Sequence, residues 1–126
     1  MPNTVSRPRF LNLLLIRMPV GAITSFAHRV SGVLLFLCIP LAAFLLDMSL
    51  QGPDGFTQAA DLLVQPLSRA VQLVIAWSLA HHLLAGIRFL LIDLEIGLNK
   101  SQARASALAV NVAAPLLAGL LLWRLW

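Results

Sequence analysis

Charge is scarce in this chain: Asp, Glu, Lys and Arg make up 11% of its 126 residues, against roughly 25% in an ordinary soluble domain. Tyrosine is absent, and cysteine occurs once, as Cys38 inside an apolar run. A single thiol closes no internal disulfide, so Cys38 reads as a packing residue and the redox compartment stays unreadable. The sequence has no glycine-rich phosphate loop, no Cys/His metal spacing and no pair of carboxylates placed for acid–base work. Soluble-enzyme chemistry therefore has no footing in it. The net charge of +4 comes from nine scattered Lys and Arg residues without interleaved aromatics, which excludes a nucleic-acid partner.

What fills the chain instead is apolar: 60% of the residues, with a mean hydropathy of +0.88. A single soluble domain of this size cannot hide so many apolar side chains, because its surface would have to be built from them. Lipid is the solvent that suits it. Three uncharged windows, Val30 to Leu46, Ala70 to Ile87 and Ala105 to Trp123, approach the length of about 20 residues that a bilayer requires. The expected fold is all-α, a single domain over 1–126. It consists of an N-terminal segment at 1–24 and an integral membrane bundle of three transmembrane helices at about 25–47, 66–93 and 104–126. Between the first two, Gly-Pro-Asp-Gly at 52–55 predicts a turn, and Gln65-Pro66 a helix start. Gly97 and Asn99 suit the break before the third helix. Trp123, Arg124 and Trp126 form an interfacial anchor.

Orientation follows from the cations. Arg7, Arg9, Arg17, Arg29, Arg88, Lys100 and Arg104 fall on one side, and only Arg69 and Arg124 on the other, which also carries Asp47, Asp54 and Asp61. The N-terminus is expected in the cytoplasm and the C-terminus outside. The apolar stretch Phe10 to Ile16 is short, broken by Asn12 and closed by Arg17 and Pro19. It lacks a small-residue cleavage site, so it does not read as a secretory signal. The expectation is a multi-pass protein of a bacterial inner membrane.

Two polar clusters interrupt the apolar pattern, and ionisable groups in membrane spans usually mark buried function or a partner contact. In SFAHRVSG, Ser25, Arg29, Gly32 and Phe36 share one helical face. That face suits a ligand with a polar head and a lipid-soluble tail; it equally suits an Arg snorkelling to head groups beside small packing residues. In HHLLAGIRFLLID, Ser78, His82, Gly86, Phe89 and Asp93 form one stripe, with Trp77, His81, Leu84 and Arg88 about 100° away. The two adjacent histidines therefore cannot ligate one metal ion. His82 lies about 16 Å deeper than Asp93, and Gly86 clears the same face for a flat macrocycle. This imidazole reads either as a heme ligand or as a histidine hydrogen-bonded to a neighbouring helix. His28, near the expected boundary of the first helix, is placed about 10 Å or more from the depth of His82. A second axial ligand must then come from another chain, or the iron is five-coordinate.

These residues resemble a known family. The segment RPRFLNLLLIRMPVGAITSFAHRVSG is similar to a pattern of R-P, L-N-L, I-R-x-P and S-x-x-H-R-x-S-G, and helix two carries H-x-x-x-G-I-R-F. At this spacing the two signatures resemble the cytochrome b large membrane-anchor subunits of bacterial succinate dehydrogenase, respiratory complex II. The resemblance implies that His82 is an axial ligand of heme b, and so the metal ligand of the chain. It implies further that Ser25 and Arg29 line the ubiquinone site and that His28 and Arg29 lie near the heme propionates. It also implies three partners: a flavoprotein that oxidises succinate, an iron–sulfur subunit that carries the electrons, and a smaller membrane anchor that supplies the second heme histidine. Quinone would be reduced at the cytoplasmic boundary by the complex, with no catalytic residue in this chain alone. Three positions depart from the family pattern: Phe89 stands where many members have His, Glu95 where a small residue is usual, and Arg9 where an apolar one is. The alternative is a heme-free structural anchor or assembly subunit. The roles of His81 and Arg88 stay open at this level.

Overall fold

A computed structural model describes residues 17–126. Arg7, Arg9 and the R-P and L-N-L elements of the N-terminal pattern lie outside the described residues. The described residues form four helices: α1 Val20–Leu50, α2 Pro53–Val64, α3 Pro66–Asp93 and α4 Lys100–Leu125. The three long ones are each long and apolar enough to cross a membrane, and the fold is all-α, as expected.

The boundaries differ from the expected ones in three places. α1 begins at Val20 rather than near residue 25, because Pro19 limits it and the apolar residues Val20 to Thr24 continue the helical pattern. The N–H groups of Ala22 and Ile23 both bond to the Pro19 carbonyl, at 2.9 and 3.2 Å. α4 begins at Lys100 rather than 104, with Asn99 preceding it. The connection expected to be a turn holds a turn of only two residues followed by a helix of 12 residues. Gly52 makes that turn at φ 104, a backbone conformation that glycine enters without strain. Pro53 then occupies the first helical turn, where its missing N–H costs nothing. Gln65 and Pro66 start α3 as expected.

α3 packs against both α1 and α4, and α1 touches α4 less extensively. The interior is built from small side chains. Ala107, Val110, Ala114, Ala118 and Leu122 form one buried stripe on α4, and Ala80 and Ala85 are buried on α3. Large apolar residues point outward, Phe36 being 71% exposed. This is the arrangement of a protein whose solvent is as apolar as leucine, so that helices associate through close contact of small residues. Cys38 lines an apolar groove of about 360 Å³ between α1 and α3, with Leu34, Leu41 and Val74, in keeping with a packing role. At the far end, the Trp126 indole donates to Gln72 Oε1 at 3.1 Å, and the Arg69 guanidinium lies 5.4 Å over the Trp126 ring. Gln72 in turn donates to the Leu63 carbonyl at 2.7 Å, so one polar cluster ties the ends of α4, α3 and α2 together.

Candidate functional site

Two histidines meet between α1 and α3. The His28 and His82 rings stack with centroids 4.1 Å apart and planes within 10°. The separation of 10 Å or more expected from depth is therefore corrected. Its error lies in the start of α1: beginning at Val20 instead of residue 25 sets His28 about 7.5 Å deeper, near the level of His82. The conclusion drawn from that separation survives on other grounds. A histidine's ligating lone pair lies in the ring plane, so two imidazoles stacked face to face do not oppose each other across one iron.

The protonation of His82 follows from its partners. Nδ1 lies 3.1 Å from the His28 carbonyl oxygen and 3.3 Å from Ser31 Oγ. The carbonyl can only accept, and the Ser31 hydroxyl already donates to that same carbonyl at 2.8 Å. Both contacts therefore require the proton on Nδ1. Nε2 is left with a free lone pair and meets no hydrogen-bond partner among the described residues. An N–H bond to a backbone carbonyl is the usual way a metal-binding imidazole is oriented and made more basic.

The glycines serve this contact differently from expectation. A Cβ on Gly32 would stand 3.0 Å from His82 Cε1, so Gly32 admits the His82 ring rather than an incoming molecule. A Cβ on Gly86 would meet His28 Nε2 at 3.7 Å, so the face Gly86 clears is covered by the His28 imidazole. Phe89 packs edge-on against His28, with centroids 5.3 Å apart.

Ser25 and Arg29 lie one turn apart on α1 as the spacing requires. Ser25 is half-buried and Arg29 exposed, and Arg29 borders a shallow hollow of about 240 Å³ with Val30, Val33 and Leu34. Neither side chain takes part in a hydrogen bond among the described residues.

His81 turns away from His82 into the three-helix interior, as the 100° offset predicts, and is 2% exposed. Its Nε2 lies 3.2 Å from Asn111 Oδ1 of α4, which also lies 3.2 Å from Thr24 Oγ1 of α1. Asn111 thus joins all three spans at one point. His81 Nδ1 and Ser78 Oγ are buried without a partner. Arg88, 8% exposed, donates from Nε to Ser106 Oγ and from Nη2 to the Ala103 carbonyl, both at 3.0 Å. Ser31, Thr24 and Asn111 are the site residues that the sequence reading misses. A lone Asn within an apolar window is the signal that could have marked Asn111.

Three helices long and apolar enough to cross a membrane, two of them meeting at a pair of stacked imidazoles, define a multi-pass membrane protein. The chain belongs to the family described as the succinate dehydrogenase/fumarate reductase transmembrane subunit, whose profile matches residues 3–121. It is 37% identical over 122 residues to the succinate dehydrogenase cytochrome b556 subunit of Coxiella burnetii (strain RSA 493 / Nine Mile phase I), a match covering 93% of this chain and 97% of that one. It is 33% identical over 120 residues to the subunit of the same name from Paracoccus denitrificans, covering 95% and 92%. It is accordingly a transmembrane cytochrome b subunit of an enzyme complex of the succinate dehydrogenase class.

Proposed function

We propose that this chain is the large membrane anchor of a bacterial succinate:quinone oxidoreductase and binds heme b through His82 Nε2. The reading is carried by the Nδ1–H bond from His82 to the His28 carbonyl, which leaves Nε2 as the ligating atom. The relatives' name, cytochrome b556, supports heme as the group held. The donor set fits an iron shared between chains: His82 would hold it from this chain through Nε2, and a histidine of a smaller anchor subunit would supply the second ligand. Bound heme would provide a one-electron store within the membrane.

The remaining assignments rest on placement. Ser25 lies nearer the start of α1 than His28, and the exposed Arg29 stands one turn along the same face, where a ubiquinone head can enter from lipid. A hydroxyl and a fixed cation there can hydrogen-bond a quinone carbonyl and stabilise the negative charge that develops on it during reduction. His28 and Arg29 stand on the propionate side of the same site. Succinate oxidation belongs to a flavoprotein subunit and electron delivery to an iron–sulfur subunit, both docked on the cytoplasmic side, with the N-terminus facing them in the inner membrane.

The test is the low-temperature absorption and EPR spectrum of the assembled complex with His82 or His81 replaced by leucine. The bis-histidine signal is expected to vanish or change in His82→Leu and to persist in His81→Leu. An unchanged signal in His82→Leu overturns the assignment, and a selective change in His81→Leu moves it to that residue.

A further inference from the structure

Apart from the His82 site, three cations converge on one cavity at the end of the bundle where α1 and α4 begin and α3 ends. It has a volume of about 460 Å³ and is lined by Met18, Pro19, Gly21, Arg88, Lys100 and Arg104, among others. No acidic residue lines it. Asp47, Asp54 and Asp61 belong to the far end of the bundle, Asp93 and Glu95 lie beyond Arg88 on the chain, and residues 1–16 contain no Asp or Glu. Arg88 is nonetheless buried, and its hydrogen bonds run to two neutral oxygens. A buried guanidinium without an anion is costly, and a cavity that adds Lys100 and Arg104 beside it compounds the charge. Gly21 brings the open first turn of α1 against this group, since a Cβ there would stand 3.9 Å from Arg88 Nη2. The Val20 and Gly21 N–H groups, which have no acceptor within their own helix, add uncharged donors.

We propose that this cavity holds the phosphodiester head group of an anionic phospholipid. Arg88 lies about 7.5 Å inside the end of α3, the depth of a head-group boundary. Its fork can chelate phosphate oxygens from within while Lys100 and Arg104, one turn apart on α4, close on the group from outside. Met18, Pro19 and Val20 give the cavity an apolar wall for the glycerol and upper acyl segments. Basic pockets between transmembrane helices are an established way to select such lipids. A free phosphate shares the head-group chemistry; the apolar wall and the position at the lipid boundary favour the lipid.

The experiment uses the assembled complex, extracted in mild detergent, with native mass spectrometry counting bound phospholipid before and after delipidation and re-addition of phosphatidylglycerol or phosphatidylcholine. The wild type is expected to retain one phosphatidylglycerol per copy of this chain and to reject phosphatidylcholine. Lys100→Gln/Arg104→Gln, at two exposed positions, is expected to weaken phosphatidylglycerol binding at least tenfold while the heme spectrum is unchanged. Arg88→Gln is expected to weaken it further, but the double variant suffices if Arg88→Gln fails to fold. Equal retention by the double variant, or equal binding of phosphatidylcholine, overturns the proposal. So does displacement of the lipid by inorganic phosphate at equal concentration, which marks a free-phosphate site. Loss of the soluble subunits from the double variant with the lipid count unchanged also overturns it, by showing that the cavity receives a protein carboxylate. Lipid occupancy is read separately from heme and quinone, so this result stands or falls independently of the redox assignment.

Discussion

The ring of His82 is held within a tight steric margin. A methyl group at position 32 would meet Cε1 at 3.0 Å, closer than packed carbons sit without displacing one another. Gly32→Ala is expected to tilt the imidazole, shifting the heme EPR signal or lowering heme content in the purified complex. Gly119→Ala, where a Cβ meets nothing within 4 Å, leaves both unchanged; matching spectra from the two variants would refute the contact. At the proposed quinone site, Ser25→Ala and Arg29→Leu would each remove a hydrogen-bond partner of a charge-bearing oxygen, a loss of about 1.5–3 kcal/mol, or roughly 10–100-fold in rate. Quinone reductase activity should fall by that order while succinate oxidation by a soluble artificial acceptor is retained. A parallel fall in both would assign the two residues to assembly. The pair's shared face is readable from an i, i+4 spacing alone. The roles of Ser31 and Gly32 are not, because each is defined by a ring that arrives from a helix some fifty residues away.

Among the elements, the three spans are legible because length and hydropathy mark them directly. α2 escapes, since Gly-Pro-Asp-Gly reads as a turn and a twelve-residue amphipathic helix carries no span signal. Where α1 begins is likewise hidden: polar SFAHRVSG looks like a boundary, whereas the helix absorbs it and starts at Val20. That single misplacement accounts for the error in the depth of His28. Glu95 shows a subtler case, marked in the sequence only as a departure and adopting φ 61 in the structure, a left-handed conformation that suits glycine better. The contact that fixes the three spans against one another is Asn111 with His81 and Thr24. Asn111→Leu should destabilise the assembled complex by about 0.6–2 kcal/mol, measured as a lower unfolding temperature in detergent. The His82 heme signal should stay in place. An unchanged unfolding temperature would show that the small-residue stripe of α4 alone sets the packing.

For the molecule as a whole, the distribution of cations predicts an orientation on which packing is silent. Reporter fusions are expected to place the N-terminus and Lys100 in the cytoplasm and Asp54 and the C-terminus outside. A cytoplasmic Asp54 would reverse the orientation and put the Ser25–Arg29 face on the wrong side for soluble subunits that oxidise succinate.

The partners of Arg88 bear on how the chain is made. Its acceptors, Ala103 and Ser106, are 15 and 18 residues further along, so neither stands beside it when α3 first reaches the translocon. The mean hydropathy of α3 is 1.5, against 2.4 for α1, which leaves less to offset an unpaired guanidinium, whose insertion cost rises to about 2.5–3.5 kcal/mol at the centre of a span. α1 can partition into lipid by itself, whereas α3 has reason to wait at the lateral gate until α4 follows and the two enter as a hairpin. A chain halted after Gly97 would strand that charge and offer the membrane's quality-control proteases their clearest signal.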